Sequence, residues 1–485
     1  MKKLTAILTS AFMLTASIPF VPVNYAVAAD TSETESESET YTITLSDSGI
    51  STNAGEDVAT ISNNSITITK PAVFEVSGEM SEGQIVVDVD KTAYPEGVVE
   101  LDLLGVNLTN TSDSPIYVAS IGDECQIVSK KGYENTISDG TSYTNADGKM
   151  GAIYSCDDLK IKGAGTLTVN GNCEDAIVSK NDIKIFNGTL IVNAVDDCIR
   201  GKDSVTIGNA KDTSFDKLKV TVNSKSGEGI KSTETDTTSG KGYITINGGT
   251  VDVTAYSDGI HASQLLNVNG GDITIETTCP ANSSGGNSGW NPGGNWGGGG
   301  MGGESSSTST DVSAKGLKAG CTDDDTSTTI EGTINIAGGN INIKSTDDSV
   351  HGTDINISGG DIEASSGDDG VHADNVLTIT DGIINITDSY EGLEAYDIEI
   401  KGGNIHVVSS DDGFNAAGGN DGSGDSNPGG WNPGGSWGGG GMGGSSTGIL
   451  NISGGYMYVR AEGDGIDSNG NITISGGTVI VCGPT

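Results

Sequence analysis

Apolar and polar residues alternate along most of this chain in short runs, with the period of a strand rather than a helix. Ile334-Asn335-Ile336 and Ile341-Asn342-Ile343 show it, as does Gln84-Ile85-Val86-Val87-Asp88-Val89. Each run then has one buried and one wet face. Gly-Gly pairs punctuate the runs at 248–249, 270–271, 338–339, 359–360, 402–403, 454–455 and 476–477. Gly together with Asn or Asp at such joints supplies the positive φ that tight corners need.

Out of phase with these pairs, an acidic–small–apolar triplet recurs. It reads Asp175-Ala176-Ile177, Asp197-Cys198-Ile199, Glu228-Gly229-Ile230 and Asp258-Gly259-Ile260, then Asp348-Ser349-Val350, Asp369-Gly370-Val371, Glu391-Gly392-Leu393, Asp412-Gly413-Phe414 and Asp464-Gly465-Ile466. The apolar members at 350, 371, 393 and 414 are 21, 22 and 21 residues apart. A period near 22 with short strands and Gly corners predicts an all-β chain, a parallel β-helix. A leucine-rich repeat needs a helical or Leu-framed segment that is missing, and a propeller needs roughly twice the period. Stacked coils would lie about 4.8 Å apart and pair only with their neighbours.

Residues 41–140 are less regular and read as an N-terminal cap and the first coils, with the helix proper over 141–485. Val479-Ile480-Val481 is a coil strand, and the sequence stops four residues later. An end there exposes strand edges and apolar core, so the expectation is a truncated form or a cover of some other kind.

Two insertions, 281–311 and 418–447, lengthen the steps from 260 to 317 and from 414 to 466. They share a Gly-Trp-Asn-Pro-Gly-Gly pattern and hold all four tryptophans, Trp290, Trp296, Trp431 and Trp437. Their composition predicts loops. The tryptophans are either aromatic platforms for sugar rings or incidental members of low-complexity segments.

Residues 1–29 have the form of a secretory signal: Lys2 and Lys3, an apolar stretch from Leu4 to Phe20, then Ala26-Val27-Ala28. Residues 30–40 form a spacer dominated by Ser, Thr and Glu that can bury nothing. The expected location is therefore extracellular, secreted or at the cell surface, without membrane insertion. The 66 acidic against 24 basic residues argue against a nucleic-acid partner, whose phosphates would be repelled. An acidic polymer would need cations to mediate its binding. Seven cysteines leave at least one thiol unpaired within the chain. Cys198, standing where sister repeats carry Gly, is expected to be a buried small residue. Cys279 and Cys321 flank the first insertion, where a disulfide to close it is the less favoured of two readings.

Stacking turns equivalent positions into ladders. The acidic members of the triplets form one, often with a second carboxylate just before, as at Asp196, Asp347, Asp368 and Asp411. Like charges a few ångströms apart repel by about 1 kcal/mol per pair even in bulk water. Such a ladder calls for cations, and many hard oxygen ligands suit Ca²⁺. The other reading is a solvated acidic edge. The residue after each apolar anchor gives a second ladder, expected to point outward: Arg200, Lys231, His261, Lys318, His351 and His372, turning acidic or neutral at Glu394, Asn415 and Asp467. It either grips carboxylated sugars or compensates the adjacent acids. The histidines could also take a transition metal, although no Cys/His spacing typical of zinc is present. No nucleophile–base motif or phosphate-binding loop is visible.

Glu134-Asn135-Thr136-Ile137-Ser138-Asp139-Gly140, Ser179-Lys180-Asn181-Asp182-Ile183-Lys184-Ile185, Cys198-Ile199-Arg200-Gly201-Lys202-Asp203 and Gly227-Glu228-Gly229-Ile230-Lys231-Ser232 together carry a likeness. Through them the chain resembles the clostridial polysaccharide-lyase-like β-helix proteins that bind cellulose and acidic sugars. The resemblance covers most of 41–277 and implies a right-handed β-helix with calcium held by aspartate clusters. By position, the implied ligands are Asp175, Asp182, Asp196, Asp197, Asp203 and Glu228, and the ladder adds Asp258, Asp368 and Asp369. The expected function is non-catalytic, calcium-dependent binding of cellulose or polygalacturonate. One alternative is a pectate-type lyase with Arg200, Lys202 or Lys231 as base, and another is a structural adhesin.

Overall fold

The computed structural model describes residues 39–144, 151–211, 217–280, 314–323, 326–416 and 448–483. The signal-like segment, nearly all of the spacer, both Gly-rich insertions and the four tryptophans lie outside the described residues. Among the described residues every regular element is a strand, and no helix is long and apolar enough to cross a membrane.

The strands form a parallel coil with three columns. The first column runs through Ile177, Ile199, Ile230, Ile260, Leu317, Val350, Val371, Leu393, Phe414 and Ile466, each paired with the next. A second passes through Leu159, Ile183, Val205, Ile244, Leu266, Ile334, Ile355, Leu377, Ile398, Leu450 and Ile472. A third includes Val169, Val192, Val222, Val253, Ile275 and Ile343. Among the described residues antiparallel pairing is confined to short hairpins, two of them at the N-terminal end, within 43–52 and 59–68.

Strand alternation sends these apolar residues inward, and nearly all are fully buried. Each contributes about 1.5–3 kcal/mol by leaving water. A slip of one residue would turn that set to solvent, so the core locks the register and with it every ladder outside. The second glycines of the Gly-Gly pairs take positive φ, for example 96° at Gly249 and 101° at Gly339. Ile472, Ile474, Ile480 and Val481 of the last coil are exposed.

Polar ladders cover the outer faces. Asn193 donates to Asn170 and Asn223 to Asn193 (2.9 and 3.1 Å), and Asn335 donates to Asn267 (3.0 Å). Cys198 is fully buried, and burial pushes its thiol up to about 12. The closure of the first insertion by a Cys279–Cys321 disulfide is not formed. The Cys279 thiol faces the Pro280 carbonyl and the Cys321 thiol faces the Ser263 carbonyl instead.

Candidate binding and metal site

Each acidic triplet sits at the corner that leads into the first column. Its apolar member packs against the core, and in most coils its acid turns outward but stays covered. Asp175, Asp258, Asp348 and Asp369 are all buried, whereas Asp412 is half-buried and Asp464 exposed. One oxygen of the acid accepts a backbone N–H from the next coil. Asp197 N–H donates to Asp175 Oδ1 (3.0 Å), Glu228 N–H to Asp197 Oδ1 (2.9 Å) and Lys315 N–H to Asp258 Oδ1 (2.8 Å). Asp369 N–H donates to Asp348 Oδ1 (3.1 Å), and Glu391 N–H to Asp369 Oδ1 (3.0 Å). The acid is therefore a staple between coils, and bonds of this charge-assisted kind are stronger than neutral ones. Sequence reasoning missed this role. The signal was present, because the acid persists whatever side chain follows three residues later.

The other oxygen faces the second ladder, whose register is continuous: Arg200 beside Lys231, then His261, Lys318, His351, His372, Glu394, Asn415 and Asp467. Arg200 holds Asp175 through Nε (2.8 Å) and Nη2. Lys231 Nζ lies 2.8 Å from Glu228 and 3.8 Å from Asp197. Lys318 Nζ lies 3.0 Å from Asp258 and His351 Nδ1 2.7 Å from Asp348. Through these pairs the cations compensate the staple acids. The outward-pointing expectation needs correcting at His261 and His372, which are 7% and 6% exposed and present little surface to a polymer. Arg200 and Lys231 keep about a third of their side chains in solvent (31% and 27%).

Several expected metal ligands converge. Asp175, Asp196 and Asp197 bring one oxygen each within 4.8 Å of one another, as do Asp347, Asp348 and Asp368. Asp258 joins Glu228 and His261, and Asp369 joins His372 and Glu394. Asp182 and Asp203 join none of these groups. Asp182 accepts from Ser204 Oγ (2.6 Å), and Asp203 pairs with Lys241 (2.6 Å). Burial pushes Asp197 up to about 7 against the pull of Lys231. Burial, then Asp369, Asp348 and Asp347, pushes Asp368 up to about 7. In both, burial is the main cause and neighbouring carboxylates add to it.

The three candidate bases are all ion-paired. Burial draws the Lys231 pKa down, but Glu228 and Asp197 raise it by more, so the ammonium persists at neutral pH. Lys202 Nζ lies 3.1 Å from Glu234. A charged ammonium accepts no proton. An aromatic strip also escaped the sequence reading: His406 stacks on Tyr458 at 5.0 Å and 15°, beside the exposed Tyr456.

A family model described as carbohydrate-binding domain-containing protein matches residues 62–370. The chain belongs to the carbohydrate-binding domain-containing proteins. A relative of the same description from Acetivibrio thermocellus is 41% identical over 142 residues, covering 28% of this chain and 48% of the relative. The chain thus matches about half the length of that curated relative. A solved polysaccharide lyase-like protein from C. thermocellum is 32% identical, covering 49% of this chain and 91% of that one, with a TM-score of 0.44.

Proposed function

We propose that this protein is an exported, non-catalytic binder of plant cell-wall polysaccharide, recognising polygalacturonate through calcium and cellulose through aromatic contacts. The observation that carries the reading is the part-exposed strip in which Arg200 and Lys231 stand beside Asp175, Asp196 and Asp197, within a carbohydrate-binding family. The three carboxylates supply the hard oxygen donors that Ca²⁺ prefers. The ion would offset their mutual repulsion and leave coordination positions for a uronate carboxylate, with the guanidinium and ammonium binding the same anion. Asp347, Asp348 and Asp368 form a second oxygen-only group, although Lys315 already lies 2.8 and 3.0 Å from Asp347 and Asp348. Contact with neutral glucan would fall to the tryptophans of the two insertions and to the strip of His406, Tyr456 and Tyr458. Export rests on the charged, apolar and small-residue order of residues 1–29. The coil is taken as right-handed with about 22 residues per turn, the hand that parallel crossovers adopt.

The deciding experiment is retention on insoluble cellulose and retardation in polygalacturonate gel, each with calcium and with chelator, while absorbance is recorded for unsaturated product. Calcium-dependent retardation without product supports the reading. Product formation moves the protein to the lyases. No retention by a folded chain leaves a structural adhesin.

A further inference from the structure

Asp369 and Glu394 are completely buried, and His372 is nearly so. His372 Nδ1 lies 3.3 Å from Asp369 Oδ2 and 3.3 Å from Glu394 Oε2, with Asp348 Oδ2 at 3.8 Å. Asp369 Oδ2 and both oxygens of Glu394 lack a hydrogen bond of good geometry, and the contact of Asp369 and Glu394 with His372 Nδ1 is an ion pair. The backbone explains why Asp369 Oδ2 is spare: Oδ1 is already taken by the Glu391 N–H (3.0 Å). Cations near the group are few. Lys315 and His351 hold Asp348 at 3.0 and 2.7 Å, and Asn415 meets Glu391 with a neutral amide (2.8 Å). Buried carboxylates are normally paired or bound to metal.

The sister group formed by Glu228, Asp258 and His261 contains the same residue types and lacks this vacancy of partners. His261 Nδ1 meets Glu228 Oε2 at 3.0 Å, and Nε2 meets the Gly320 carbonyl at 2.8 Å. Lys231 and Lys318 complete the balance there.

We propose that Asp369, His372 and Glu394, with Asp348 beside them, bind one d-block divalent cation of the zinc class. Imidazole suits such ions, whereas calcium and magnesium prefer oxygen donors alone. A tetrahedral ion with ligand distances of about 2.0–2.1 Å holds its donors about 3.3–3.4 Å apart. The two 3.3 Å separations around His372 Nδ1 match that edge. The donors come from adjacent coils whose register is fixed by the core: His372 pairs with His351 on one side and Glu394 on the other. Binding requires unprotonated Nδ1, so the ion displaces a proton and binds more tightly as pH rises. The site is independent of the proposed sugar contact, which uses Arg200, Lys231 and the oxygen-only group at Asp175.

The test is calorimetric titration of the full chain, stripped with chelator, using zinc chloride at neutral pH, with calcium chloride in parallel. One zinc equivalent is expected for the wild type. Binding should weaken at least tenfold in Glu394→Gln and in His372→Gln, and stay unchanged in His261→Gln. Should either ligand variant fail to fold, cobalt(II) added to the wild type gives the second reading. Strong visible bands of a tetrahedral nitrogen–oxygen site are expected, without thiolate charge transfer. Absence of zinc binding by the folded chain, equal affinity in Glu394→Gln, calcium competing on equal terms, or a thiolate spectrum would each overturn the proposal. Loss of polygalacturonate retardation with zinc binding intact would sink the sugar reading alone.

Discussion

The column around Glu228 and the column around Glu394 share one backbone and one register, yet they resolve charge in opposite ways. At the first, most staple acids have a cation close beside them: Arg200 on Asp175, Lys231 and His261 on Glu228, Lys318 on Asp258, while Asp197 has Arg200 and Lys231 only at 3.8 Å. The net effect on Glu228 is a pKa below its ordinary value, because His261 and Lys231 outweigh the burial that would raise it. At the second, the cationic position itself turns into Glu394, and burial pushes that carboxyl up to about 10. A stack of near-identical coils places each residue against its counterparts, so one substitution converts a balanced ladder into a crowd of carboxyl groups that cannot all ionise. Backbone demand sets the acids, and the side chain three residues on sets what the acids can do.

The largest effect that would sharpen this contrast is Glu228→Gln. It leaves Lys231 and His261 without their buried partner and should cost about 3 kcal/mol, read from urea unfolding followed by circular dichroism. A loss near zero would mean that both cations reach water, and the two regions would not differ. Glu394→Gln in chelator-treated protein should act in the other direction, stabilising by about 1 kcal/mol because the neutral amide does not have to take up a proton on folding as the raised Glu394 carboxyl does. A destabilisation of similar size would break the comparison.

Local hydrogen exchange against pH supplies the third check, again on chelated protein. The folded pKa of Glu228 lies below its ordinary 4.5, so its contribution is present above that pH and lost as pH falls through the folded value. Glu394 and His372 are both raised to about 10 from 4.5 and 6.5. The folded chain there holds protons that the unfolded chain releases, so its protection should decline as pH rises from about 4.5 towards 10. At the Glu394 coil the decline should continue towards pH 10, whereas at the Glu228 coil any decline should end near pH 7, where the raised Asp197 finishes titrating, and a decline at 228 that runs on to 10 would refute the contrast. The smallest effect belongs to a neutral ladder: Asn193→Ala should cost about 1 kcal/mol, with no pH dependence, by the same unfolding assay.

Much of the fold was legible in the chain itself. Period-two alternation, Gly-Gly corners and the triplet recurring about every 22 residues point to short stacked strands with one buried face, and Ile334, Ile336, Ile341 and Ile343 are all buried together. The alignment of Arg200, Lys231, His261, Lys318, His351 and His372 into one column followed from the same spacing, because each stands next to a core residue whose position is fixed. Tertiary structure alone decided the rest. The staple role of Asp175 or Asp369 depends on an amide one coil away, and spacing along the chain carries no information on where that N–H points. Spacing also cannot separate His261, satisfied at both nitrogens, from His372, whose Nε2 has no hydrogen bond. The sequence determines periodicity because burial of apolar area is additive and local to each strand. Partner, protonation and ligand are settled only in three dimensions, because hydrogen bonds and charge pairs depend on tenths of an ångström between coils.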